Sequence, residues 1–198
     1  MRWEEIKQTI EGKLLLDPDA NTKKDIQHLL TDSRLLKSAA DTIFFALTGK
    51  QDGHEFIKPL YRLGVRFFIV GYPIDTKDLA QASFLQVPNT VYALQSLAKR
   101  HREKVGLQTI GITGSNGKTT TKELIKAVLS EELKVHATHG NLNNHIGVPL
   151  TLLSIPVDTE FALVEMGANH QGEIADLCQI AQPTCGMITN VGLAHLEG

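Results

Sequence analysis

Lys118 and Thr119 stand directly after Gly117 in the stretch LQTIGITGSNGKTTTKE, residues 107–123, which also carries Gly111 and Gly114. Leu107, Ile110 and Ile112 read as an apolar strand, and the residues from Lys118 onward read as a helix. Small residues between a strand and a helix let backbone N–H groups turn toward an anion, and the helix N-terminus adds its positive dipole end. Lys118 can then reach the outer phosphates of a nucleotide, and the Thr119 hydroxyl can ligate the Mg²⁺ that travels with it. Gly114, Ser115, Asn116, Gly117, Lys118, Thr119 and Thr120 therefore form a candidate cradle for ATP or GTP. The spacing departs from G-x-x-x-x-G-K-[ST], because Ile112 occupies the position of the first glycine.

Three further segments carry chemistry-bearing residues. FALVEMGAN (161–169) is an apolar strand ending in Glu165, with Gly167 making a turn. Ligands of open α/β sheets bind beyond the carboxyl ends of the strands, so a carboxylate there is a natural Mg²⁺ ligand. CGMITNVGLAHLEG (185–198) ends a strand at the same edge and carries His195. Mg²⁺ prefers oxygen, so His195 fits a second, partly hydrated metal site that also accepts Mn²⁺. GNLNNHIGVPLTLL (140–153) has three asparagines before a helix, which either cap it or turn their amides toward substrate. His136 and His139 have a metal-like spacing, but no cysteine or carboxylate completes the set, and they read as surface or loop residues. In the first half, TDSR (31–34) and ALTGKQDGHEF (46–56) are the dense polar clusters beside apolar strands, and Arg34 could pair with a phosphate in bidentate fashion.

The elements that must position these residues fall into two textures. Up to Lys104 the pattern is mixed: a helix near Trp3–Ile10, strand-like LLTDSR, strands at 43–47, 66–70 and 84–87, a helix starting at Asp52–Gly53, and a helix from Asn89 to about His101. The polar stretch REKVG (102–106) marks a boundary, giving domains 1–104 and 105–198. From Leu107 onward strands alternate with helices at 118–132, 146–154 and 172–181, which implies a parallel sheet covered on both faces. With about four strands of that sheet in hand, the sequence reads as part of a longer protein.

Composition narrows the function classes. The 198 residues are 42% hydrophobic and 21% charged, ordinary for a soluble globular chain. A formal net charge of −2 leaves no basic footprint, so no nucleic-acid partner is expected. The charged N-terminus is no signal peptide, and no apolar run reaches membrane-spanning length. Cys178 and Cys185 lie on elements predicted to be buried and read as reduced core thiols, consistent with the cytoplasm.

Taken together, these segments resemble the Mur ligases of peptidoglycan synthesis. GITGSNGKTTTKE resembles their ATP loop, including the Ile-containing departure. DSR followed by FFALTGKQDGHEF resembles their N-terminal domain, which holds the UDP part of the substrate. GNLNNHIGVPLTLL and EMGANHQGEIADLCQIAQPTCGMITNVGLAHLEG resemble the family member that acts last. The resemblance implies an α/β protein: a small mixed α/β N-terminal UDP-binding domain, then the first part of a P-loop, mostly parallel, doubly wound ATPase domain. It implies an ATP-dependent amide ligase in which the tripeptide carboxylate of UDP-N-acetylmuramoyl-tripeptide is phosphorylated and the amine of D-alanyl-D-alanine attacks the acyl phosphate. By position, Lys118 would bind phosphates, Thr119, Glu165 and His195 would hold metal, and Asn144 or a neighbour would lie near the γ-phosphate. Ser33, Arg34, Thr48, Asp52, Gly53 and His54 would border the UDP-sugar pocket. A monomer is expected. The adenine contacts, a modified lysine and a third domain are expected after Gly198, so these residues alone should not turn over.

Two alternatives stay open. The preceding ligase of the series shares DSR and DGH but typically has a Thr-Thr-Pro-like stretch where Asn143-Asn144 stand here. A P-loop switch or transport ATPase would hydrolyse nucleotide without an acceptor amine, and leaves the N-terminal clusters unexplained.

Overall fold

Strand β6 (Gln108–Thr113) lies inside its sheet and leads directly into the glycine loop, so the site is built around it. The computed structural model describes residues 1–192. Contacts divide the chain into two compact units, Met1–Leu94 and Gln95 onward, with the division inside a helix.

In the first unit the elements run α1 (Trp3–Thr9), β1 (Lys13–Leu16), β2 (His28–Leu30), β3 (Thr42–Phe45), α2 (Ile57–Arg62), β4 (Phe67–Val70) and β5 (Ser83–Gln86), after which α3 (Thr90–Val105) begins. The sheet order is β1-β5-β4-β3-β2. All neighbours are parallel except β1, which runs antiparallel to β5. Every residue of β3 and β4 is buried, because apolar side chains leave both faces of the sheet and both are covered. Phe68 stacks on Phe84 with centroids 5.0 Å apart and meets Phe44 edge-on, while Trp3 of α1 packs on Phe67.

A buried carboxylate ties α1 to this sheet. Asp17 accepts hydrogen bonds from Trp3 Nε1 (2.9 Å), Ser83 Oγ (2.6 Å) and Lys7 Nζ (2.6 Å). Burial alone would raise its pKa, but the bonds from Lys7, Ser83 and Trp3 outweigh that and hold it below the ordinary carboxylate value. The stabilisation is therefore complete above the unfolded value, near about 4, and is lost as pH falls through the lower folded one. Urea midpoints measured from about pH 5 to about pH 2 should fall more steeply for the native chain than for Asp17→Asn, which lacks the charge. Equal slopes would count against this coupling.

The second unit continues with α4 (Lys118–Leu129), β7 (Val135–Ala137), α5 (Gly147–Leu153), β8 (Phe161–Glu165), α6 (Glu173–Ala181) and β9 (Cys185–Ile188). Its sheet is parallel throughout, in the order β7-β8-β6-β9. Val148 and Leu152 of α5, Leu177 and Ile180 of α6, and Ala162, Val164 and Met166 from β8 and its end form one core cluster.

Three sequence expectations change. Helix α3 runs on to Val105, so the polar residues 102–105 are helical. Arg102 is buried there because its guanidinium donates to the Ala181 and Gln182 carbonyls at the end of α6 (3.0 and 3.1 Å), groups a helix leaves without intrahelical partners. Helix α4 ends at Leu129 rather than 132. Cys178 is half-buried, and Cys185 is exposed on β9, which among the described residues pairs with β6 alone. Both are free thiols.

Candidate functional site

The register of the second sheet sets the site. Ile112 of β6 pairs with Glu165 of β8, and Thr113 pairs with Ile188 of β9. Both neighbouring strands therefore end beside the glycine loop, at the carboxyl edge where such sheets bind ligands.

The loop's two left-handed turns need glycine. Gly114 has φ +137°, and a Cβ there would fall 2.1 Å from Thr189 Oγ1; Gly117 has φ +78° and caps α4. The first amides of α4 have no intrahelical acceptor and point out of the helix end, as an anion requires. Lys118 curls back over the loop, with Nζ donating to the Gly114 carbonyl at 2.5 Å and to Ser115 O at 3.4 Å. Thr120 is exposed on the first turn of α4.

Thr119 and Glu165 meet. The Thr119 hydroxyl donates to Glu165 Oε2 at 2.9 Å, and Asn143 Nδ2 donates to Glu165 Oε1 at 2.8 Å. Glu165 is only 2% exposed. Lys122, one turn along α4 and 1% exposed, has its ammonium 3.9 Å from Glu165 Oε2 and 3.0 Å from Glu123, and donates to Thr138 O at 2.6 Å. Thr138 in turn accepts the Glu165 backbone N–H on its hydroxyl (3.0 Å). Gly167 leaves room for Asn143, whose side chain would lie 3.1 Å from any Cβ placed there.

This donor set suits Mg²⁺. A hydroxyl and a carboxylate are hard oxygen ligands, and Mg²⁺ takes few protein ligands, filling its shell from phosphate and water. Among the described residues no three His, Cys, Asp or Glu side chains converge. His195 lies outside the described residues.

The asparagine loop resolves into two roles. Asn144, the sequence candidate, accepts the N–H groups of Ile146 and Gly147 (3.1 and 2.8 Å) and so holds the start of α5. Of the two asparagines that the expectation left open, Asn143 is the one that reaches Glu165. Lys122 was missed, although its position three residues after Thr119 places it on the same helix face. His136 is half-buried beside Thr151 and Ser154, and burial lowers its pKa.

The first unit gathers the other candidates into two turns. Asp32 accepts the Arg34 N–H and grips its guanidinium through both oxygens, so Arg34 is oriented although exposed, and Ser33 sits between them. The Arg34 side chain and N–H hold the Asp32 carboxyl down at about 2. Thr48 bridges Asp52 across a turn closed by Gly53, where a Cβ would fall 2.8 Å from Leu47 N and O. Asp52 accepts from the Tyr72 hydroxyl (2.6 Å) and the His54 backbone N–H (3.0 Å), and these bonds, Tyr72 first, hold it at about 2. His54 Nε2 accepts the Gly71 N–H at 2.9 Å, so its proton sits on Nδ1, which faces Asp52 at 2.6 Å. Tyr72, stacked on His54 with centroids 3.8 Å apart, joins this cluster without any signal in the sequence.

Comparison with known proteins finds one family. Residues 112–198 match the Mur ligase middle domain. Over 173 residues the chain is 42% identical to the UDP-N-acetylmuramoyl-tripeptide--D-alanyl-D-alanine ligase of Bacillus subtilis (strain 168), covering 87% of this chain and 37% of that protein. It is 43% identical over 193 residues to the ligase of the same name from Synechocystis, covering 97% of this chain and 42% of the relative. Among solved structures, a crystal structure of MurF from Acinetobacter baumannii superposes with a TM-score of 0.88 at 38% identity, covering 99% of this chain and 42% of that one. MurF from Thermotoga maritima in complex with ADP superposes with a TM-score of 0.76 at 34% identity, covering 86% and 39%. The chain thus spans about two fifths of the length of the curated relatives it matches.

Proposed function

Since the chain belongs to the Mur ligase family, we propose that it is the amino-terminal portion of an ATP-dependent ligase that joins D-alanyl-D-alanine to UDP-N-acetylmuramoyl-tripeptide. The observation that carries the reading is the Thr119–Glu165–Asn143 cluster beside a glycine loop whose lysine is already folded over it. In this reading the tripeptide carboxylate attacks the γ-phosphorus of ATP and ADP leaves; the dipeptide amine then attacks the acyl phosphate and phosphate leaves.

The chain's residues mainly position charge. Lys118 moves from the Gly114 carbonyl onto the outer phosphates, and the amides at the start of α4 take the phosphate oxygens. Thr119 and Glu165 would hold Mg²⁺, which when bound neutralises charge on the transferring phosphoryl group. Asn143 keeps the Glu165 carboxylate turned toward Thr119. The Asp52–His54–Tyr72 cluster and the Asp32-held Arg34 line the proposed UDP-sugar pocket of the first unit. Such a protein works in the cytoplasm, where ATP is, and no helix among the described residues is long and apolar enough to cross a membrane.

The test is substrate profiling of the full-length protein. ATP with tripeptide precursor and D-alanyl-D-alanine should give one amide product, one ADP and one phosphate per turnover. Preference for the dipeptide precursor would indicate the preceding ligase instead, and rapid ATP hydrolysis without an acceptor amine would overturn the ligase reading. The 198-residue chain by itself should bind the UDP-sugar weakly and ATP poorly; turnover by it would contradict the division of labour proposed here.

A further inference from the structure

Thr189, Asn190 and Gly192, in the segment just after β9, are each hydrogen-bonded to the end of β6 or to the phosphate loop. Thr189 N–H donates to Thr113 O (2.9 Å), continuing the β6–β9 ladder to the point where the loop begins. The Asn190 carbonyl accepts the Ser115 N–H at 3.2 Å. The Asn190 side chain then takes both sides of one peptide residue: Oδ1 accepts the Asn116 N–H at 3.0 Å and Nδ2 donates to the Asn116 carbonyl at 3.2 Å. Thr189 Oγ1 donates to the same carbonyl at 2.6 Å. Ser115 Oγ and the Gly192 backbone exchange a pair of bonds at 3.0 and 2.9 Å.

We propose that Asn190 is a positioning residue for nucleotide binding, a brace that fixes the Ser115–Asn116 backbone so that the loop is already shaped for phosphate. The physical case starts from the loop's cost. Gly114 and Gly117 give the chain left-handed turns but leave it many other conformations, and ordering such a segment when ligand arrives would weaken binding. A carboxamide that pairs with both the N–H and the C=O of Asn116 acts like a neighbouring strand and specifies which way those groups face. Ser115 and Asn116 are thereby held by the residues that follow β9, and the outward-pointing amides at the start of α4 are left to the anion. Nothing in the proposed chemistry uses Asn190 directly.

This inference rests on the nucleotide reading of the loop, and its test separates the two. In the full-length protein, Asn190→Ala should raise the Kd for MgADP and the KM for ATP by about tenfold, the scale of two lost hydrogen bonds, while kcat changes much less. Asn190 is exposed, so its melting temperature should match that of the parent. Thr189→Val, which removes one hydroxyl contact and keeps the shape, should shift affinity in the same direction by a smaller factor. Amide exchange at Ser115 and Asn116 should quicken in Asn190→Ala without nucleotide. Unchanged Kd and KM in Asn190→Ala, against a parent that binds MgADP, would overturn the brace and leave the nucleotide reading intact. A full-length parent that binds no nucleotide would overturn both.

Discussion

In the proposed full-length ligase, Glu165→Gln should remove most of the activity, on the order of a thousandfold, with the fold intact. A metal ligand at this position would contribute several kcal/mol of charge stabilisation, and each 1.36 kcal/mol is a factor of about ten in rate. The amide keeps the shape but has no charge. Its oxygen can still accept from Asn143 and its NH2 can donate to Thr119, whose hydroxyl rotates to accept, so the loss is that of the charge rather than of the hydrogen bonds. Calorimetry distinguishes this from a folding defect: the gain in ADP affinity on adding Mg²⁺ should vanish, and affinity for ADP without metal should stay near the parent value. A variant that keeps the full Mg²⁺ gain would remove Glu165 from the metal site.

Lys122→Met should destabilise the second unit by about 3 kcal/mol, the lower end of the range for breaking a buried charge pair. Methionine fills the space of the stem, so the loss is electrostatic rather than a cavity. It strips the Thr138 carbonyl of its donor and the buried Glu165 of its nearby cation. The cost sits at the low end because Thr119 and Asn143 still donate to Glu165. Urea denaturation measures it, and a double variant identifies the source. Once Glu165 is Gln, Lys122→Met should cost clearly less, since the two changes share one interaction. Strict additivity would assign the loss to packing instead.

What could be read in advance was local. The glycines, Lys118 and Thr119 lie within one strand–loop–helix, where spacing along the chain equals proximity in space. Glu165 was readable because an apolar strand ending in a carboxylate has one natural place in a parallel sheet. Asn143 and Asn144 defeated that logic, since adjacent residues of one type point differently according to a turn register that no pattern displays. The brace from Thr189 and Asn190 depends on β9 lying next to β6, and strand order is a property of the whole sheet. Tyr72 joins Asp52 across 20 residues of sequence, with nothing in the local pattern to announce it.

The pairing of Ile112 with Glu165 has one more consequence. Side chains alternate faces along a strand, so sliding β8 by one residue would not displace the carboxylate slightly; it would send it to the opposite side of the sheet. Intermediate placements do not exist, and competence is inherited all or nothing from the assembly of the sheet. Because β8 is buried along nearly its whole length, a slipped register would also misplace the core, so the packing that folds the sheet is the same constraint that aims the carboxylate.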